Sequence, residues 1–183
     1  MIDYYAGKVT EILEYIGLPH IIADQITKGV VKLAFYLLDY NYELAAPYTP
    51  PRYLEELHGI HDGSNGLADF DLLRRVNFIP EIIKAACSIV GAWGPATEGG
   101  KLYHLRALDW DSHAPVSNYP SIVIYDSSEP NSNEFANIGF LGMIGILTGV
   151  SKNGITMGEK VLYENDDSKY PVELETTYIG KPW

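Results

Sequence analysis

The chain holds one cysteine, Cys87, in the run Ala85-Ala86-Cys87-Ser88-Ile89-Val90-Gly91-Ala92-Trp93. A cysteine attacks a carbonyl as its thiolate, so a nucleophilic one needs a base or a cation beside it. Downstream, the stretch from Lys101 through Leu105-Arg106-Ala107-Leu108-Asp109-Trp110-Asp111 reads as a strand, yet it carries Arg106 and Asp109 among apolar residues. Unpaired charges there would be costly, so they need a partner or a task. Each residue also has an ordinary reading. A lone cysteine is commonly a small buried hydrophobe, and an Arg and an Asp three residues apart commonly form an ion pair. Spacing alone does not separate the two readings.

Three segments in order carry a resemblance: Cys87-Ser88-Ile89-Val90-Gly91-Ala92-Trp93-Gly94, then Gly99-Gly100-Lys101-Leu102, then Leu105-Arg106-Ala107-Leu108-Asp109-Trp110. Together they resemble the N-terminal-nucleophile (Ntn) cysteine amide hydrolases of the C45 peptidase and penicillin acyltransferase group. That group is related to acid ceramidase and to bile-salt (choloylglycine) hydrolase. In that family a cysteine, a strand and a Gly-containing hairpin precede Arg-Asn-Leu-Asp; here Ala107 stands at the Asn position. The segment Arg52 to Ile60 with Asp62-Gly63 resembles the family's pro-segment helix, and Leu147 to Ile155 its later hairpin, so the resemblance spans about residues 50–163.

The resemblance implies a mechanism. Cleavage between Ala86 and Cys87 would free an α-amine, whose ordinary pKa is about 7.7 to 8.0, beside the thiol it then serves as base. The Cys87 thiol would make that cut itself, attacking the Ala86 carbonyl to give a thioester that water hydrolyses. Arg106 would favour the thiolate, and Asp109 would orient the α-ammonium. In a regular strand, positions 106 and 109 lie on opposite faces, so a bulge or an early strand end near Leu108 is expected. Bile-salt relatives use an Asn as oxyanion donor after the stretch matching Gly154 to Gly158, where this chain reads Glu159-Lys160-Val161. Asn153 and Asn165 are the polar alternatives, although Asn153-Gly154 is also a hairpin-turn signal and Asn165 also reads as a solvated loop residue.

The elements that must position these groups change character at the cysteine. Before it, Val9, Ile12, Leu13 and Ile16 recur at helical spacing, and Ile21 to Tyr40 makes a second, more apolar helix. Pro47, Pro50 and Pro51 break that pattern. A shorter helix follows to about Ile60, and another lies within Asp69 to Ile83, with Arg74 and Arg75 on its polar side and Pro80 marking a break. After the cysteine, Ser88 to Trp93, Leu102 to Trp110, Ser121 to Tyr125 and Ile155 to Leu162 read as strands between Gly, Pro, Asn and Asp clusters. Gly139 to Ile146 is apolar and fits either state; Phe140, Leu141, Met143 and Ile144 would suit an acyl chain or a core.

Composition narrows the function classes. With 183 residues, 46% hydrophobic and 20% charged, the chain is long enough for one core. A net charge of −11 and the lack of clustered Lys and Arg argue against nucleic acid. Asp24, Lys28, Lys32 and Asp39 interrupt the longest apolar helix, so no integral membrane span is expected. His58 and His61 lack a third ligand at metal spacing, and no phosphate-binding glycine motif is present, so neither a metal nor a cofactor is expected. Met1 to Tyr5 lacks the basic and apolar regions of a signal peptide. The expected location is lysosomal or secreted if a leader is missing, and cytoplasmic otherwise.

The combined expectation is an α+β chain: a helical pro-segment at residues 1–86, then the amino-terminal part of a four-layer αββα Ntn domain at residues 87–183. Relatives of this kind are longer, so the chain reads as a fragment. Its function would be hydrolysis or acyl transfer at the linear amide of a small N-acyl compound or lipid amide, through a Cys87 thioester, the two chains staying associated after self-cleavage. The alternative is a catalytically inactive Ntn-fold protein that binds a lipid or a partner. A papain-like enzyme would need a histidine partner, and neither His104 nor His113 has such a context.

Overall fold

The computed structural model describes residues 2–82, 86–126 and 130–160. It is an α+β chain, with helices first and antiparallel sheets after, and it divides into two compact units. The first holds the helices up to Ile82 and the short segment His113–Val116; the second holds the strands.

In the helical unit, α1 (Ile2–Tyr15) packs on α2 (His20–Ala45) where α2 offers small residues, Ala23 and Thr27, both buried. The Thr10 and Thr27 hydroxyls bond across that seam at 2.9 Å, satisfying groups that burial would otherwise strand. Helix α2 runs five residues past the expected end at Tyr40. The reason is tertiary: Leu38, Asn41 and Ala45, spaced three and four apart, are all buried on one stripe, and packing along it carries the helix to the Pro47 turn.

Pro51 opens α3 (Pro51–Gly63) at the position where its missing N–H costs nothing. The Asp69 carboxylate caps α4 (Phe70–Ile82) by accepting the Leu72 N–H at 2.8 Å. Pro80 does not break α4 as expected but lies inside it. Two residues from the described end of the helix, it forfeits one hydrogen bond in the last turn rather than a turn in the middle.

Arg74 and Arg75 do not face solvent. Arg75 donates twice to the Asp39 carboxylate of α2, at 2.9 and 2.8 Å, and Arg74 donates to it once, at 2.9 Å. The two guanidiniums also lie over the rings of Tyr42 and Phe35. Asp39 is thereby held below the usual carboxylate range, chiefly by the Arg75 hydrogen bond. His58 stacks on Phe70, and the His61 Nδ1 bonds the Ala68 carbonyl at 2.6 Å, so both serve the α3–α4 seam.

The strand unit begins with the hairpin β1 (Ala86–Gly94) and β2 (Gly100–Asp109). A four-stranded antiparallel sheet follows: β3 (Pro120–Tyr125), β4 (Phe135–Phe140), β5 (Thr148–Ser151) and β6 (Thr156–Gly158), paired in sequence order. Within the ambiguous Gly139 to Ile146 stretch, the first two residues end β4, the next two form a turn and the rest are irregular, with Leu141 exposed. Buried Asn137 ties those turns to β4 by donating to the Gly145 carbonyl at 2.7 Å. The β5–β6 connection turns on Asn153-Gly154, with Gly154 at φ +82°, a conformation that glycine adopts freely. Strand β6 ends at Gly158, short of the expected Leu162, and residues beyond Lys160 lie outside the described set.

A candidate site at Cys87

The β1–β2 register decides which side chains meet. Cys87 lies opposite Leu108, Ile89 opposite Arg106 and Ala86 opposite Asp109, without interruption as far as Ala92 opposite Tyr103. Arg106 is therefore the diagonal neighbour of Cys87 on one face of the ladder, within reach of a long side chain. Val90, Tyr103 and Leu105 occupy the other face and are exposed.

The guanidinium spans the gap: Arg106 Nη2 donates to Cys87 Sγ at 3.1 Å. Cys87 is buried, and the Arg106 side chain is only 5% exposed. A cation so enclosed needs an anion, and Glu159 supplies it, its Oε2 accepting from the same Nη2 at 3.1 Å. The same carboxylate oxygen lies 3.7 Å from Cys87 Sγ, where it can accept the thiol proton. Lys160, the next residue, donates from Nζ to the Cys87 carbonyl at 3.0 Å. Arg106 Nε is buried without an acceptor among the described residues.

Glu159 and Lys160 reach the hairpin because β6 comes close to it. Glycine at 158 allows this approach without displacing a neighbour: a β-carbon there would lie 3.1 Å from Ile89 Cδ1 and 3.3 Å from the His104 ring, tighter than ordinary contact, so those side chains would have to give way. The Glu159 N–H then bonds the Leu147 carbonyl at 3.0 Å, fixing the carboxylate's backbone just past the strand.

Of the residues singled out in the sequence, Cys87 and Arg106 come together. Asp109 does not join them. It is exposed on the face away from Cys87: no bulge lies near Leu108, the register slipping instead between Ala92 and Gly94, and β2 does end close by, at Asp109, but only after Asp109 has paired with Ala86. An unbroken ladder through Leu108 leaves the period of two in force. Ala86, the expected cleavage residue, is the first residue of β1. Asn153 is a turn residue: its amide donates to Asn133 Oδ1 at 2.8 Å and its N–H to Ser151 Oγ at 3.2 Å. It stands at the opposite end of β6 from Cys87's neighbours. Asn165 lies outside the described residues. Among the described residues, no three His, Cys, Asp or Glu side chains gather as a metal site requires, and no helix is long and apolar enough to cross a membrane.

Sequence reasoning missed Glu159 and Lys160 as contributors, because it sought an Asn oxyanion donor there. The available signal was the same one that exposed Arg106: a charged pair directly following a short apolar strand.

The chain is similar to two Dictyostelium discoideum proteins. Over 115 residues, 63% of this chain, it is 41% identical to Protein dcd1B, of which the matched stretch is 23%. Over 152 residues, 79% of this chain, it is 38% identical to Protein dcd1A, of which the matched stretch is 33%. The chain thus spans a third or less of the curated relatives it matches. No family model matches it, and no solved structure does.

Proposed function

We propose that this chain is the amino-terminal part of a self-processing cysteine Ntn amidohydrolase or acyltransferase. Residues 1–86 would be the pro-segment, and the strand unit the start of an αββα catalytic domain. The observation that carries the reading is the contact of Arg106 Nη2 with a buried Cys87 Sγ at the second residue of β1. A guanidinium 3.1 Å from the sulfur is the kind of cation that a nucleophilic cysteine needs beside it.

After a cut between Ala86 and Cys87, the new α-amine is the base and the thiolate attacks the carbonyl of a linear N-acyl amide. The amine of the substrate leaves with a proton, and water hydrolyses the thioester, or another amine takes the acyl group. Small N-acyl amides and lipid amides are the substrate class.

The test is the purified full chain, followed by intact mass and amino-terminal sequencing. The expected result is a new amino terminus at Cys87, with Cys87→Ala remaining whole. A wild-type chain that stays whole at both neutral and acidic pH refutes the enzyme reading.

One observation favours the inactive Ntn-fold alternative: Cys87 is only 4% exposed, and Glu159 and Lys160 both engage it. Cut protein that takes up no hydroxylamine-sensitive acyl group on Cys87 from a panel of N-acyl amides would decide for that alternative.

A further inference from the structure

We propose that Glu159 is the proton acceptor for the Cys87 thiol in the uncut chain, a base for self-cleavage distinct from the α-amine used afterwards. The inference rests on the reading of Cys87 as a self-processing nucleophile.

Before the cut, the Cys87 nitrogen is a peptide amide and cannot act as a base, yet the same thiol must lose its proton to attack Ala86. A different group has to take that proton. Glu159 Oε2 lies 3.7 Å from Sγ, and Arg106 Nη2 sits 3.1 Å from both atoms. The cation therefore stays paired whether the negative charge is on oxygen or on sulfur, so the transfer moves charge without exposing an unpaired ion. The Glu159 side chain is 43% exposed, so the carboxylate touches water as well as the sulfur. The other charged and titratable groups around it are Lys160, bound to the Cys87 carbonyl, and the His104 ring beside Gly158. Asp109, the other carboxylate nearby in sequence, is on the far face.

The step balances. The thiol proton passes to Glu159 Oε2, and the thiolate forms a bond to the Ala86 carbonyl carbon. The carbon–nitrogen bond to Cys87 then breaks, and the nitrogen recovers the proton from Glu159 as it becomes the α-amine. Water hydrolyses the thioester, leaving a carboxylate on Ala86 and a free thiol. The cut happens once per chain, so a slow transfer still completes maturation.

The test compares wild type, Glu159→Gln and Glu159→Asp as full chains, with cleavage followed by intact mass. Glu159→Gln keeps the side-chain shape and is expected to cut at least about a hundredfold more slowly, within the range general-base groups supply. Glu159→Asp keeps a carboxylate at longer reach and should fall between the two. Once cut, Glu159→Gln should lose clearly less in Cys87 acylation than it lost in cleavage, because the α-amine is then the base and Glu159 only pairs Arg106. Equal cleavage by Glu159→Gln and wild type overturns the inference while leaving the proposed function standing. An acylation loss matching the cleavage loss also overturns it, making Glu159 a positioning residue for Arg106. Should Glu159→Gln fail to fold, Glu159→Asp decides: a severalfold slower cut supports the inference and an unchanged rate refutes it. A wild-type chain that never cuts removes both readings together.

Discussion

Replacing Arg106 by methionine keeps most of the buried volume and removes the charge, so it isolates what the guanidinium does for the sulfur. At 3.1 Å and an effective dielectric of about 20, a cation and a thiolate attract by roughly 5 kcal/mol. Desolvating the enclosed pair takes back much of this, so a net loss of roughly 1.5 to 3 kcal/mol of attraction, the worth of a hydrogen bond to a charged group, is the expected effect. The change acts twice. Without Arg106, the Glu159 carboxylate lies 3.7 Å from the sulfur with nothing between, and a like charge disfavours the thiolate further. The assay is alkylation by iodoacetamide at neutral pH, with methionine rather than alanine chosen so that no cavity speeds access to a buried thiol. Alkylation of Arg106→Met should be about ten- to a hundredfold slower, with the secondary structure retained by circular dichroism. Equal rates in the two proteins would show Arg106 to be a structural partner of Glu159 and nothing more.

Asp39→Asn should destabilise the helical unit by about 1 to 3 kcal/mol in urea unfolding, because two arginines lose a shared acceptor that is two-thirds buried. The pH dependence follows from the sign of the shift: the folded carboxyl lies below its ordinary 3.8, so its contribution is complete above that value and is lost as pH falls through the folded pKa. The gap between wild type and Asp39→Asn should therefore be full at neutral pH and shrink in strong acid; a constant gap would refute the account. Gly158→Val places carbon where Ile89 and His104 already stand, within 3.1 and 3.3 Å, and should cost about 1 to 3 kcal/mol while slowing self-cleavage by withdrawing Glu159. Unchanged cleavage in a folded Gly158→Val protein would show that Glu159 does not depend on that approach.

The change of character at the cysteine was legible because it is local: helical spacing of apolar residues stops, and short runs between turn residues begin, so the switch from α4 to β1 falls between Ile82 and Ala86. What failed was decided by tertiary contacts. The helix expected to end at Tyr40 runs on because Asn41 is buried on the stripe that extends α2, and Arg74 and Arg75 read only as the polar side of a helix until Asp39, more than thirty residues earlier, is set against them. Glu159 is 72 residues from Cys87, and no periodicity connects the two. Only the close approach at Gly158 does, and a glycine among seventeen gives no sign of which neighbour it admits.

Asp109 marks the point where a role carried over from a motif met geometry. The bulge or early strand end expected near Leu108 was needed only on the assumption that Asp109 must share a face with the Cys87 side chain. The register removes that bulge and sets Asp109 opposite Ala86 instead. On the proposed reading, however, the group that Asp109 orients is the α-amine, a main-chain nitrogen that belongs to neither face because backbone donors lie in the plane of the sheet. The thiolate's partner must lie on the sulfur's face, as Arg106 does. The amine's partner need only stand beside the residue preceding it, and a regular ladder puts Asp109 there. Opposite faces are then compatible with two different tasks: one charge for the side chain of Cys87, and one for the nitrogen that cleavage releases.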